Sequence, residues 1–249
     1  MPYTPGRRVL VLTHTGREDA ISAALQATRM FAEEGLVSVM LEQDVAAIRA
    51  AAGDPPEFAP EALGVDCELE DITLGLVLGG DGSVLRAADF VRGHNVPLLA
   101  VNLGHVGFLA ESERTDLHRT VQAIASESYV VIERMALDVV VLVEGREVAR
   151  TWALNEASVE KSHRERMLEV VVSVDNSPLT AFGCDGVVLA TPTGSTAYAF
   201  SGGGPVVWPS VEALLCVPIS AHALFTRPLV VGPRSTIGVD VLTRTRETG

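Results

Sequence analysis

The sequence predicts two folded parts, a parallel α/β half followed by an antiparallel β half. Up to about residue 126, apolar runs of strand length alternate with helix-spaced apolar positions, the pattern of a parallel sheet covered on both faces. Beyond that point helical periodicity fades, and β-rich segments follow one another at short spacing with turn signals between them. The chain's 249 residues, 47% hydrophobic and 20% charged, suffice for two cores and argue against disorder.

The elements follow in order. Arg8 to Leu12 is a short apolar strand after a Pro-Gly turn. Ala20, Ile21, Ala24, Leu25, Thr28 and Phe31 recur at helical spacing, and Gly35 ends that helix. Leu36 to Leu41 reads as a strand and Glu42 to Ala52 as an Ala-rich helix, and the Pro-rich Gly53 to Pro60 reads as a loop. Leu74 to Leu78 is a buried strand, Ser83 to Val91 a helix, Pro97 to Val101 another strand, and Arg114 to Ser126 a helix. In the second half, Leu137 to Val143, Val148 to Leu154, Leu168 to Val174, Leu179 to Phe182 and Val187 to Thr191 read as strands. Glu144-Gly145 and Asp175-Asn176-Ser177-Pro178 are the turn signals among them. The expected architecture is therefore a Rossmann-like parallel α/β domain over 1–126 and an antiparallel β-sandwich domain over 127–249.

Composition excludes several classes. A net charge of -13 argues against a nucleic-acid partner, which needs a basic face. No run of 18 apolar residues predicts a transmembrane helix, and the N-terminal apolar run is too short for a signal peptide. The chain is expected in the cytoplasm, without a membrane partner. Lys161 is the single lysine and follows no Gly-rich turn, which excludes a P-loop. Cys67, Cys184 and Cys216 lack metal or disulfide spacing and read as reduced, buried thiols. The six histidines form no metal-binding pattern.

Three segments stand out. Leu76 to Ser83 runs a buried strand into Gly79-Gly80-Asp81-Gly82 and at once into a helix. Glycines let a ligand approach the backbone, and amides at a helix start attract anions. Asp81 is either the helix cap or an acceptor for a hydroxyl beside a phosphate. Thr191-Pro192-Thr193-Gly194-Ser195-Thr196-Ala197-Tyr198, with Ser201-Gly202-Gly203-Gly204-Pro205, gathers hydroxyls and small residues around one tyrosine. Such a segment offers donors to a polar ligand while Tyr198 packs on a ring; the alternative is a hydrophilic loop. Asn155-Glu156 at a strand end suits the two hydroxyls of a ribose, with Asp185-Gly186 later in the chain. Solvated turn acids, or a carboxylate pair for glycoside hydrolysis, are the alternatives there.

At these motifs the sequence resembles the NAD kinase family. The resemblance runs through Gly79 to Gly82, Asn102-Leu103-Gly104-His105-Val106-Gly107-Phe108-Leu109, Asn155-Glu156, Phe182 to Tyr198, Ser201 to Pro205 and Ala221 to Pro228. Gly-Gly-Asp-Gly alone also occurs in diacylglycerol kinases and phosphofructokinases. The motifs together, in order over nearly the whole chain, are specific, and their wording is nearest actinobacterial members. Ser83 stands where threonine is usual, one hydroxyl for another. The chain also ends several tens of residues before family members usually do, a tail expected to add strands and a terminal helix.

The resemblance implies a kinase that phosphorylates the adenosine-ribose 2′-hydroxyl of NAD, using ATP or inorganic polyphosphate. It implies Asp81 as base or hydroxyl-orienting acceptor, and Gly80 and Gly82 as part of the loop holding donor phosphates with a divalent cation, Mg²⁺. Asn155 and Glu156 would bind ribose hydroxyls, and Asp185 would hold the nicotinamide end. Thr193, Thr196, Ala197, Tyr198 and Ser201 would line the adenine and ribose side. Arg86 and Arg166 match positions near the cofactor, while His105 and Phe108 would close over the base. The site is expected between domains, in a homotetramer whose neighbouring subunit contributes to it. Trp208 and the apolar Val211 to Val217 are candidate seams, or else part of the sandwich core. Two competing classes are a nucleotide-binding regulator without turnover and a lipid or sugar kinase sharing the Gly-Gly-Asp-Gly turn.

Overall fold

The computed structural model describes residues 6–14, 16–52, 59–103, 109, 112–113, 116–162, 167–222 and 227–242. The chain divides into two compact units, Met1–Ile132 and Glu133–Gly249.

In the first unit the strands are β1 (Arg8–Leu12), β2 (Val37–Leu41), β3 (Glu61–Leu63), β4 (Ile72–Leu78), β5 (Leu98–Asn102) and β6 (Ser112–Glu113). The helices are α1 (Glu18–Glu33), α2 (Glu42–Ala52), α3 (Asp81–Phe90) and α4 (Leu117–Ala125). The six strands form one parallel sheet in the order β3-β2-β1-β4-β5-β6. Because side chains alternate along a strand, β1 feeds two cores. Val9 and Val11 pack with α1, α2 and α4 through Ala24, Phe31, Ile48 and Val121. Leu10 and Leu12 pack on the opposite face with Val84, Ala87 and Val91. Burial on both faces explains why the central strands read as unbroken apolar runs.

Local sequence sets the ends of these elements. Ala20, Ala23, Ala24, Ala27, Thr28 and Phe31 form the buried stripe of α1. That helix ends where Gly35 takes φ +73°, with Leu36 N–H donating to Phe31 O at 2.8 Å and Gly35 N–H to Ala32 O at 3.1 Å. This paired closure needs a left-handed residue, which glycine supplies without strain.

The second unit is antiparallel. Its strands are β7 (Leu137–Val143), β8 (Arg146–Ala153), β9 (Glu156–Glu160), β10 (Leu168–Val174), β11 (Ser177–Cys184), β12 (Gly186–Ala190), β13 (Leu214–Ile219), β14 (Leu229–Val231) and β15 (Ile237–Val241). They form sheets ordered β11-β10-β15 and β14-β13-β12-β9, with β7-β8 a separate hairpin. Val170, Val172, Phe182 and Cys184 of the first sheet pack with Val187 and Cys216 of the second, which makes the predicted sandwich. Both turn signals are two-residue hairpin loops with positive φ, 50° and 74° at Glu144-Gly145 and 49° and 64° at Asp175-Asn176. The segment read as either seam or core divides: Leu215, Cys216 and Val217 of β13 are buried, while Trp208 and Val211 are exposed. All three cysteines are free and buried.

Candidate functional site

The described residues of the predicted site divide between the two units. In the first, β4 reaches Leu78 and Gly79 N–H donates to Val101 O at 3.0 Å, so the ladder ends at the glycines. Gly80 caps α3 with no side-chain hydrogen bond, and Ser83 N–H turns back to Gly80 O at 2.8 Å. The amides of Asp81 and Gly82 belong to the first helical turn, which has no intrahelical acceptors to offer them. Asp81 is not the cap: its Oδ1 accepts the amide of Leu109 at 3.1 Å, across 28 residues. The carboxylate is therefore held by the chain that follows β5.

The glycines divide by cause. A Cβ on Gly79 would lie 2.4 Å from Ser83 Oγ, so internal packing requires that glycine. A Cβ on Gly80 or Gly82 would meet nothing within 4 Å, and neither residue has a positive φ. Nothing within the described chain demands glycine there, and the bare backbone faces open space at a helix N-terminus, where anions bind. Arg86 lies one turn on, with Nη2 3.4 Å from Ser83 Oγ.

In the second unit, Asn155 and Glu156 sit where β9 begins, and Glu156 pairs with Ala190 across β12. Thr191 continues the pairing, its N–H donating to Asn155 O at 2.9 Å and its hydroxyl to Leu154 O at 2.6 Å. A Cβ on Gly194 would lie 2.0 Å from Asn155 O, so this glycine is what lets the Thr193–Thr196 turn close onto Asn155. Asn155 Oδ1 and Glu156 Oε2 are buried and accept no hydrogen bond from the described residues. Such atoms cost folding free energy unless a donor from outside the chain meets them. Burial pushes the Glu156 carboxyl up from its ordinary value, opposed by a hydrogen bond from the Tyr198 amide.

Thr193, Thr196, Ala197, Tyr198 and Ser201 follow this corner in the chain, whereas Asp185 lies at the opposite end of β12, beside Glu160 and Lys161. Thr193 is buried and Thr196 and Ala197 half-buried, while Tyr198 is 37% exposed at the start of α5 (Tyr198–Ser201) and Ser201 is exposed at its end. Partial burial and a hydrogen bond with the Glu160 carboxylate raise the Tyr198 phenol. Not every hydroxyl of the segment faces outward. Ser195 is fully buried, donating to Pro192 O at 2.6 Å and accepting from Val207 N–H at 2.9 Å. Asp185 forms an ion pair with Lys161, which holds its carboxyl below the usual range, aided by the Ser220 hydroxyl and the nearby His222. Lys161, Glu160 and Ser220 are additions that motif reading did not supply. The one available signal was Lys161 as the single lysine among 19 basic residues. His105, Phe108 and Arg166 lie outside the described residues.

Both halves have counterparts. The ATP-NAD kinase N-terminal domain family matches residues 9–129, and the ATP-NAD kinase C-terminal domain family matches residues 154–248.

The chain belongs to the NAD kinase family.

It is 54% identical to the NAD kinase of Leifsonia xyli over 237 residues, 95% of this chain and 77% of that protein. It is 52% identical to the NAD kinase of Thermobifida fusca over 250 residues, covering 98% and 76% of the two chains. Among solved structures, yeast NADH kinase in complex with NADH superposes with a TM-score of 0.84 at 26% identity, over 96% of this chain and 73% of that one. An Archaeoglobus fulgidus NAD kinase in complex with ATP shares the fold, with a TM-score of 0.69 at 23% identity, over 94% and 80%. As an NAD kinase the chain is a phosphotransferase, and the lipid-kinase, sugar-kinase and glycosidase readings give way to that assignment. Among the described residues no helix is long and apolar enough to cross a membrane.

Proposed function

We propose that this NAD kinase transfers the terminal phosphoryl group of ATP, or of inorganic polyphosphate, to the 2′-hydroxyl of the adenosine ribose of NAD. The observation that carries the reading is the buried, unpartnered pair Asn155 Oδ1 and Glu156 Oε2. Two adjacent acceptors lacking donors match the two O–H donors of a ribose diol. Thr193, Thr196, Ala197, Tyr198 and Ser201 line the adenosine side, and Asp185, held by Lys161, takes the nicotinamide end. His105, Phe108 and Arg166 keep the roles the family resemblance gives them.

The chemistry follows from Asp81 and the glycines. The 2′-oxygen forms a bond to the terminal phosphorus while the bond from that phosphorus to the bridging oxygen breaks. The 2′-proton passes to the Asp81 carboxylate, which the Leu109 amide keeps in place. The Asp81 and Gly82 amides and the Arg86 guanidinium receive the donor phosphates. ADP, or a polyphosphate one unit shorter, leaves. Among the described residues no group of three or more acids, histidines or cysteines forms a metal cage. A Mg²⁺ ion therefore fits as one carried by phosphate oxygens, with Asp81 the carboxylate nearest the loop that receives them. Bound there, the cation would neutralise phosphate charge.

Assembly and location complete the reading. A two-stranded hairpin alone is marginal, yet β7-β8 exposes Val141, Leu142, Val143 and Val148. Those residues and Trp208 support a homotetramer built from dimers, whose apolar seams offset the long-range repulsion of like-charged copies. The free, buried cysteines support a cytoplasmic enzyme. The test is to incubate the protein with NAD, Mg²⁺ and either donor, and to detect NADP enzymatically. Formation of NADP is expected, and its absence with both donors ends the reading. Light scattering across protein concentrations, alongside NAD binding, tests assembly. A monomer with full NAD affinity would defeat that part.

A further inference from the structure

Thr191 directly follows β12 and has no exposed surface, so it does not itself meet a ligand. It nevertheless holds three groups around Asn155. Its N–H donates to Asn155 O at 2.9 Å and its hydroxyl to Leu154 O at 2.6 Å. The same hydroxyl oxygen accepts the amide of Gly194 at 3.1 Å.

The two carbonyl contacts have a geometric consequence. The Leu154 carbonyl belongs to the peptide plane before the Asn155 Cα, and the Asn155 carbonyl to the plane after it. Peptide planes are rigid, and φ and ψ are the rotations of these two planes about the Cα between them. A residue that fixes both carbonyls therefore fixes φ and ψ of Asn155, and with them the direction in which its side chain leaves the backbone. That side chain carries the buried, unpartnered Oδ1. The ladder of β9 with β12 ends at Glu156 and Ala190, so the Leu154 carbonyl lies beyond it.

The third contact reaches the facing turn. Thr193–Thr196 begins after Pro192, which offers no capping side chain, and the first amides of a helical turn lack internal acceptors. The Thr191 hydroxyl serves Gly194 N–H in place of a cap. One oxygen, used as donor and as acceptor, thus ties the turn to the strand that carries Asn155. Branching at Cβ restricts the rotamer of that oxygen.

We infer that Thr191 is a positioning residue for NAD, its buried hydroxyl setting Asn155 against the Thr193–Thr196 turn so that one ligand meets both. This role rests on the reading of Asn155 and Glu156 as ribose acceptors and extends it to a residue the ligand does not touch.

The test compares Thr191→Val, which keeps the shape and removes the hydroxyl, with Thr191→Ser, which keeps the hydroxyl. Each is measured for kcat, KM of NAD at saturating ATP, KM of ATP at saturating NAD, and melting temperature. A merely structural role would lower the active fraction, and so kcat, without moving the KM for NAD. The KM for NAD should rise about tenfold in Thr191→Val and stay within about threefold in Thr191→Ser, with the KM for ATP within about twofold in both. An unchanged KM for NAD in folded Thr191→Val overturns the inference, as does a Thr191→Ser protein equally impaired. Should Thr191→Val fail to fold, Thr191→Cys, whose thiol donates and accepts weakly, replaces it under the same criteria. Should the unchanged protein form no NADP, the kinase reading falls separately and NAD titration decides. Weaker binding in Thr191→Val that Thr191→Ser restores supports the role of Thr191, and equal binding, or none in the unchanged protein, overturns it.

Discussion

The two clusters differ in what they offer a ligand. The Gly-Gly-Asp-Gly turn of the first unit offers backbone amides and open space, with one carboxylate fixed by a distant amide. The Asn155–Glu156 corner of the second offers buried side-chain atoms that lack partners. Amides at a helix start exist in any helix, so the first arrangement adds little cost to folding. Unpartnered buried acceptors are a standing cost that a ligand removes. Substitutions should therefore separate activity from stability in opposite ways at the two places.

The largest effect is expected at Asp81. Asp81→Asn keeps the shape and an acceptor for the Leu109 amide but removes the proton acceptor. NADP formation should fall by about 10²–10⁴-fold, the usual worth of a general base, with NAD binding and melting temperature close to those of the unchanged protein. Steady-state rates and NAD titration check this. Undiminished turnover would remove Asp81 from the chemistry and leave it a tie between β4 and the chain after β5.

Glu156→Gln should act on both quantities with opposite signs. Loss of the charged acceptor should weaken NAD binding by roughly 10–100-fold. The same change should raise the melting temperature of the ligand-free protein by roughly 2–4 °C, because a desolvated carboxylate whose Oε2 lacks a donor loses its charge. The pH dependence follows from the raised carboxyl pKa. The folded state holds this proton more tightly than the unfolded state does. Stability thus falls as pH rises from the ordinary glutamate range through the raised folded-state value, and the loss persists above it. Glu156→Gln should flatten that part of the profile. A lower melting temperature in the variant would mean that Glu156 is structural.

Gly82→Ala sharpens the contrast from the other side. The added methyl meets no atom of the protein, and alanine is the better helix former. Stability should stay level or rise by about 0.5–1 kcal/mol, while the KM for the phosphoryl donor rises by about tenfold as the methyl keeps phosphate from the amide. Donor titrations and thermal melts on one preparation decide it. Unchanged donor kinetics would leave this glycine without a ligand to explain it.

How much of this was legible in sequence differs between the units. The central strands β1, β2, β4 and β5 are buried on both faces and read as apolar runs, and the glycine turn advertised itself by composition, whereas the short edge strands β3 and β6 carry no such run. In the second unit β9 reads Glu-Ala-Ser-Val-Glu, a short edge strand with a glutamate at each end and only one large apolar residue, too little for a strand pattern. Strand β13 carries Pro218, which masks it as a strand, and its apolar stretch fits a seam or the sandwich core alike; its side chains fill the sandwich. The site shows the same division. Asn155 and Glu156 could be named from their motif, but that their oxygens lack partners is a property of packing. The Lys161–Asp185 pair joins residues 24 apart in the chain, brought together because β9 and β12 are neighbours in one sheet. No local spacing announces such a pair.

That pair gives the smallest and most specific expectation. Lys161 keeps the Asp185 carboxylate ionised well into acid, and both side chains reach solvent. Exposed pairs contribute little to folding, so Lys161→Met should shift the melting temperature by no more than about 2 °C. Its effect should appear in binding. Asp185, without its cation, recovers a pKa nearer the ordinary aspartate value and protonates at higher pH. The KM for NAD should therefore begin to climb at a higher pH on the acid side in the variant, and should rise by about threefold at neutral pH because the carboxylate is no longer steered. Measuring the KM for NAD from acid to neutral pH in both proteins tests this directly. An acid limb that stays in place after Lys161→Met would show that Asp185 does not touch NAD, and would return the pair to the surface chemistry of β9 and its neighbour.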